Sequence, residues 1–257
     1  MSDIASPRNP RLKALRRLHT RRERARSGTF LAEGEDLVCA AAAAGLSALE
    51  GYRLAGTALG GPDFHDVERS ALASVSALGS GSRVIAVYQQ RWGAALGPLC
   101  VYLHGVGDPG NVGAVLRSAL AFGASCVALG PRCADPHSPR AVRASMGAIF
   151  SVPLARVADV AELPGERIAL AARAGEPLRG PAERDGRDPA AALRERPLTL
   201  LVGAERDGLP ADVLAACERR AHIPILSESL NAAMAATVAL YEITRRGERR
   251  NDTVPAS

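Results

Sequence analysis

No stretch of this chain approaches the roughly 18 consecutive apolar residues that a membrane-spanning helix requires. The alanine-rich run from Cys39 to Ala44 is the nearest thing to one, and it stops at Gly45. The N-terminus is charged and lacks an apolar segment ahead of a small-residue cleavage site, so no secretory signal is expected. A soluble, cytoplasmic protein without a membrane partner is the resulting expectation. The five cysteines are an odd number and form no CxxC pair. That spacing argues against a disulfide framework or a zinc site, and leaves Cys39, Cys100, Cys126, Cys133 and Cys217 as small hydrophobes. The five histidines show no paired spacing, so no metal is expected. GxxxxGK(S/T) is missing, which argues against a P-loop.

Lysine is almost absent: Lys13 is the only one, although Lys and Arg together number 32. The abundance of Ala, Arg and Gly suggests a GC-rich genome, which explains arginine in place of lysine but not where the arginines stand. Nine bases (Arg8, Arg11, Lys13, Arg16, Arg17, Arg21, Arg22, Arg24 and Arg26) crowd one short segment whose only acid is Glu23. With a net charge of +5, this segment is expected to contact phosphates of a nucleic acid.

The 257 residues, 47% of them hydrophobic, suffice for one or two sizeable cores. The pattern predicts a basic helix over Pro10–Arg26, an extended FLAEG piece and a helix over Glu35–Ala44. A strand at Tyr52–Ala55, a helix at Asp66–Ala77 and a strand at Arg83–Tyr88 complete a small α/β domain. The Gly/Pro-containing connector Trp92–Pro98 ends it. Domains are therefore expected over 1–93 and 98–250. In the second, strands are expected at Leu99–His104, Ser125–Leu129, Phe150–Pro153, Ile168–Ala172, Leu198–Val202 and Ala221–Ile225. Helices are expected at Val112–Phe122, Arg140–Met146, Pro210–Cys217 and Leu230–Arg246, and Pro177–Pro197 reads as a surface connection with a helical turn near Ala190–Arg194. Buried-looking strands alternating with helices argue for a largely parallel sheet with helices on both faces.

Three blocks carry candidate chemistry. In LHGVGDPGNVGAVLRSALAFGA, a strand and a Gly-containing turn lead to Asn111 near a helix start, with Arg117 six residues on. A helix N-terminus attracts anions. Arg117 stands among apolar neighbours and could be functional or simply lie on an exposed stripe. In LTLLVGAERDGLP, an apolar strand ends at Gly203, followed by Glu205, Gly208 and Leu209. Strand ends of this kind meet ligands in open α/β sheets, although Glu205 could equally be a surface carboxylate capping the next helix. In AHIPILSESLNAAMAATVALYE, Ser229 is a good helix N-cap and Asn231 falls inside the first turn.

In this order and spacing the blocks resemble the SpoU/TrmH branch of the SPOUT methyltransferases, which 2′-O-methylate ribose in tRNA or ribosomal RNA. The first motif matches at Asn111 and Arg117, the second at Gly203, Glu205, Gly208 and Leu209, and the third at Ile223, Pro224, Ser229, Leu230 and Asn231. NPRLKALRRLH and FLAEGEDLVCAAAAAG are similar to the ribosomal-protein-L30e-like substrate-binding domain of many members. Only Leu226, Ser227 and Glu228 separate IPI from SLN, where many relatives carry a longer, Gly-containing loop.

The resemblance implies a trefoil-knotted parallel sheet, a fold composition alone would not suggest. It implies S-adenosylmethionine held near Leu201, Val202, Gly203, Glu205, Gly208, Leu209, Ile223, Ile225 and Leu230. Arg117 would act on the ribose 2′-oxygen, with Asn111, Ser229 and Asn231 orienting it. It also implies a homodimer through the knot, each active site drawing on both subunits. Arg8, Arg11, Lys13, Arg16 and Arg17 are the bases expected on RNA, ribosomal RNA in preference to tRNA. The competing expectation is a non-catalytic RNA-binding or ribosome-assembly module of the same fold.

Overall fold

The computed structural model describes residues 3–77, 81–172 and 174–245. The chain begins with two short helices, α1 (Pro10–Arg17) and α2 (Arg21–Ser27), where one basic helix was expected. The break lies at Leu18–Thr20, and the Thr20 side chain accepts a hydrogen bond from the Glu23 amide at 3.3 Å. A Thr followed three residues later by Glu is a helix-start signal, and here it operates in the middle of the basic run.

Strand β1 (Thr29–Glu33), helix α3 (Glu35–Ala43), strands β2 (Glu50–Leu54) and β3 (His65–Val67), helix α4 (Arg69–Ala73) and strand β4 (Val84–Gln89) follow. The four strands form one sheet in the order β1-β4-β2-β3. The helix expected over Asp66–Ala77 is therefore a strand and a five-residue helix. Parallel pairing of Tyr52 with His65 takes up the backbone that local propensity assigns to a helix.

The second sheet has seven strands in the order β7-β6-β5-β10-β8-β11-β9, and every pairing in it is parallel. In chain order its elements are β5 (Leu99–Leu103), α5 (Pro109–Ala121), β6 (Cys126–Leu129), α6 (Pro139–Ala144), β7 (Leu154–Arg156) and β8 (Glu166–Leu170). Then come β9 (Glu176–Pro177), α7 (Pro181–Asp185), α8 (Pro189–Glu195), β10 (Leu198–Val202), α9 (Ala211–Ala215), β11 (Arg219–His222) and α10 (Ala232–Thr244). Both β5 and β10 are buried along their whole length, as expected for central parallel strands covered on two faces.

Two of the boundaries that moved lie beside prolines. The strand expected at Phe150–Pro153 begins at Leu154, after a 3₁₀ turn over Ala148–Phe150, because Pro153 has no amide proton to enter the ladder. The strand expected at Ala221–Ile225 ends at His222, again just before a proline two residues on. The expected helix end at Arg246 and domain end at 250 lie outside the described residues.

The two sheets are not separate bodies. Phe30 and Tyr88 of the first sheet pack on Phe150 of the second region, with ring centroids 6.0 and 4.9 Å away. One apolar core runs from Ala32 and Val84 through to Val101 and Leu200. Arg24, 3% exposed, reaches across to Asp135 at 2.7 Å and donates to the Leu18 and His19 carbonyls. One of the nine N-terminal bases is thus a buried structural strut.

Candidate active site

The C-terminal ends of β8, β10 and β11 open into a cavity of about 380 Å³, within the usual range for small-ligand sites. The loop after β10 forms one wall, and the geometry explains both of its glycines. A Cβ on Gly203 would lie 2.2 Å from the carbonyl carbon of Gly208, so only glycine lets the loop fold back this closely. Gly208 takes φ +65°, in the left-handed region that favours glycine. Reciprocal backbone hydrogen bonds between Ala204 and Gly208, at 3.2 and 2.9 Å, close the turn.

The three sequence blocks meet at the mouth of this cavity. Glu205 accepts hydrogen bonds from the side-chain amides of Asn111 and, at 3.4 Å, of Asn231. Asn231 also donates to the Asn111 side-chain carbonyl at 3.0 Å. Residues 120 positions apart in sequence thus share one carboxylate. Asn111 is held by its own helix start: Asp108 caps α5 by accepting from the Asn111 amide at 3.0 Å. The cap of α10 differs from expectation. Asn231, not Ser229, accepts from the Ala233 and Met234 amides, at 2.9 and 3.3 Å, so Asn231 stands before the first turn rather than inside it.

Among the residues expected at the cofactor, Val202, Gly203, Glu205, Gly208, Ile223, Ile225 and Leu230 line the cavity, and so does Ser229. Leu201 and Leu209 stand behind the wall in the core, among Tyr102, Val213 and Ala169. Leu170, Ala171 and Ala172 at the end of β8 are lining residues that sequence reasoning did not single out. Their signal is the sheet order alone, which inserts β8 between β10 and β11. The short segment Leu226–Ser229 is exposed, and Glu228 and Ser229 nevertheless reach the cavity. Three lining carboxylates, Glu205, Asp207 and Glu228, face one lining arginine, Arg206, so the mouth carries a net negative charge suited to a cation.

Arg117 is exposed on α5 and forms no hydrogen bond or ion pair among the described residues. Six residues separate it from Asn111, which puts it about 9 Å further along the helix and a third of a turn round. It does not join the Asn–Glu–Asn cluster within one copy of the chain. Among the described residues no group of His, Cys, Asp and Glu is placed to hold a metal ion.

Residues 98–241 match the family model described as the SpoU rRNA Methylase family, and residues 9–86 match the MRM3-like substrate binding domain. The chain belongs to the SpoU rRNA methylase family. The chain spans about half the length of some curated relatives: the "uncharacterized tRNA/rRNA methyltransferase" of Mycobacterium tuberculosis is 35% identical over 68% of this chain and 56% of its own. The 23S rRNA (guanosine(2553)-2′-O)-methyltransferase RlmP of Bacillus subtilis is 28% identical over 95% of this chain and 99% of its own. Among solved structures, the AdoMet-bound rRNA methyltransferase of Sinorhizobium meliloti superposes with a TM-score of 0.78 at 28% identity, covering 93% of this chain and 95% of that one. The SpoU methyltransferase AviRb of Streptomyces viridochromogenes, in complex with AdoMet, gives 0.76 at 25% identity over 91% and 97%. The family's fold, a SPOUT parallel sheet behind a small α/β substrate-binding domain, is the one described above.

Proposed function

We propose that this chain transfers a methyl group from S-adenosylmethionine to a ribose 2′-hydroxyl of ribosomal RNA. The observation that carries the reading is the convergence of Asn111, Glu205 and Asn231, one from each motif, at the lip of the cavity. The 23S rRNA 2′-O-methyltransferase named among the relatives supports ribosomal RNA over tRNA. S-adenosylmethionine supplies an electrophilic methyl group on a sulfonium cation. The backbone of Gly203–Gly208, Ile223 and Ile225 would hold it, and the carboxylates of Glu205, Asp207 and Glu228 suit its positive charge.

Asn111 and Asn231 fix the Glu205 side chain, and Ser229 stands beside them at the cavity to orient the incoming ribose. Fixed geometry of this kind supplies much of the rate of a bimolecular methyl transfer. A guanidinium is a poor base. Arg117 therefore stabilises the negative charge that develops on the 2′-oxygen and grips the neighbouring phosphate, while the hydroxyl proton passes to water and S-adenosylhomocysteine leaves.

Arg117 reaches the reaction from a second copy of the chain. Met234, Val238 and Tyr241 of α10 are exposed at four- and three-residue intervals, making an apolar stripe. Leu120, exposed and one turn beyond Arg117 on α5, extends that stripe, and α5 and α10 are tied by the Ser118–Thr237 hydroxyl pair at 2.6 Å. A homodimer closing over this face would cover the apolar residues and carry Arg117 towards the partner's cavity. The order β5-β10-β8, in which a late strand inserts between two earlier ones, supports the trefoil knot as part of the same reading. The division at 1–93 and 98–250 and a cytoplasmic location belong to it too. Among the described residues no helix is long and apolar enough to cross a membrane.

Transfer of label from S-adenosylmethionine to ribosomal RNA, with mapping of the 2′-O-methyl position, tests the activity. Arg117→Ala abolishes transfer and leaves cofactor binding intact; full activity in that variant would remove Arg117 from the chemistry. Mixing Arg117→Ala with Gly203→Ala subunits restores roughly a quarter of the wild-type rate if each site is shared across the dimer, and none if it is not. No affinity for S-adenosylmethionine in calorimetry would favour the RNA-binding module instead.

A further inference from the structure

A second cavity, about 310 Å³, lies on the same C-terminal edge of the parallel sheet as the first but at its other side. Its floor is the end of β6 and β7, at Leu129–Pro131 and Arg156–Ala158, and its far wall is α2 with Arg21 and Ala25. Trp92, the only tryptophan in the chain, comes from the connector between the two sheets. The Arg156 guanidinium lies over the indole, 4.0 Å from the ring centroid. His137 meets the same indole edge-on, with centroids 5.2 Å apart. The Trp92 Nε1–H donates to the Gln90 side-chain carbonyl at 3.3 Å, while the Gln90 amide donates to the Arg24 and Thr29 carbonyls at 3.1 and 3.3 Å. The ring is therefore fixed before any ligand arrives.

Arg156 and Arg21 make no hydrogen bond or ion pair among the described residues, and both line the cavity. The one carboxylate in the lining, Asp135, is already neutralised by the buried Arg24. Apolar walls at Leu129, Pro131 and Ala134 would gain nothing from a bare anion. They suit a flat aromatic ligand that also carries phosphate.

We propose that this interdomain cavity receives an unpaired nucleobase of the RNA substrate, stacked on the Arg156 guanidinium over Trp92, with Arg21 on the adjacent phosphate. Unstacked bases are taken up on aromatic rings and on guanidinium planes, and here the guanidinium already lies over the indole. Adjacent strands lie about 4.8 Å apart, so the cavity is about 10–20 Å across the sheet from the mouth formed by β10 and β8. Single-stranded RNA covers that distance in a few nucleotides. The base site would set which nucleotide reaches the ribose-binding cluster, a register the cluster itself cannot read because every ribose presents the same hydroxyl. The inference rests on RNA being the substrate, as proposed above.

The single tryptophan makes the test direct. Wild-type protein, Arg156→Ala and Arg156→Lys are titrated with single-stranded oligoadenylate and with an abasic phosphodiester chain of equal length. Oligoadenylate shifts the Trp92 emission, and both variants bind it about tenfold more weakly, because lysine keeps the charge and loses the plane. The abasic chain binds wild type and Arg156→Lys alike, binds Arg156→Ala only as much more weakly as the lost charge requires, and leaves the emission unchanged. Wild-type affinity in Arg156→Lys, or an equal emission shift with the abasic chain, overturns the stacking site. Label transfer to ribosomal RNA, measured on the same preparations, separates the two readings. Transfer by wild type together with unchanged oligoadenylate binding by Arg156→Ala removes the base site alone. Absence of transfer in wild type overturns the methyltransferase reading while the binding data still judge the base site.

Discussion

The two ends of this chain use polar residues in opposite ways. At the cofactor end, Gly203, Gly208 and Asn231 act through backbone geometry, a fold-back, a left-handed turn and a helix cap, and the charged lining is acidic. At the N-terminal end the resource is arginine, and its nine bases are divided between tasks. Arg24 is buried against Asp135, Arg16 is tied to Ser74 at 2.9 Å and to the Pro7 carbonyl at 3.0 Å, and Arg11 bonds His65. Arg26 pairs with Glu23, while Arg8, Lys13 and Arg17 stand exposed. Clustered charge in sequence is therefore not one surface in space, and the two ends should fail differently when altered. Damage at the first should be abrupt and insensitive to salt; damage at the second should be graded and salt-dependent.

The largest effect is expected at Gly203. Gly203→Ala forces a Cβ to within 2.2 Å of Gly208 backbone, and the loop must open. Calorimetry should show loss of S-adenosylmethionine binding, with the melting temperature little changed. Next comes Arg24→Ala, which leaves Asp135 unpaired at the domain junction. A cost of about 3–5 kcal/mol in denaturant unfolding is expected, as for a broken buried ion pair. A smaller value would mean that water reaches Asp135 and that the two sheets are held by the Phe30–Phe150 core alone.

His137 gives a pH dependence to the same junction. It is 2% exposed, and burial pushes its imidazole down to about 4 from the ordinary 6.5, with Arg156 and Arg24 acting in the same direction and Asp135 against it. The unfolded chain takes up this proton at a higher pH than the folded one. Stability should thus be fully present above about pH 6.5 and fall as pH drops towards 4, by on the order of 3 kcal/mol. His137→Phe should flatten that window in thermal melts taken across it.

Asn231→Ala removes the α10 cap and one ligand of Glu205 at once. A stability loss of about 1 kcal/mol is expected from the cap, together with a larger fall in kcat than in cofactor affinity. Equal falls would mean that Asn231 only holds the helix. The smallest effects belong to Arg8→Ala and Arg17→Ala. Each should weaken RNA binding uniformly across sequences and lower the slope of log affinity against log salt by about 1. An unchanged slope would sharpen the comparison further, by moving the phosphate contacts off α1.

Much of the catalytic half was legible in sequence because its strands are continuous apolar runs. Leu198–Val202 appears as a strand with the bounds expected of it, since a strand buried on both faces needs no partner to be recognised. Tyr52 joins the N-terminal core through a strand whose ends were shifted, because the pairing of β2 with β3 and β4 is decided at long range. Leu170–Ala172 went unnoticed at the cavity for the same reason. Nothing local marks the end of one strand as a binding wall.

Sequence alone determined the local chemistry: which residue types stand at which motif positions, that the strand Leu198–Val202 turns on glycine at its end, and that the N-terminal segment is rich in positive charge. Local backbone sterics and hydrogen bonding act over a few residues, so a few residues suffice to reveal them. The tertiary structure decided which carboxylate Asn111 and Asn231 share, that Arg24 is a strut rather than an RNA contact, and that Trp92, Arg156 and Arg21 line one cavity. Those facts depend on strand order and on the docking of one sheet against another. Burial and proximity across such distances come from the summed packing of the whole core, which no single segment carries.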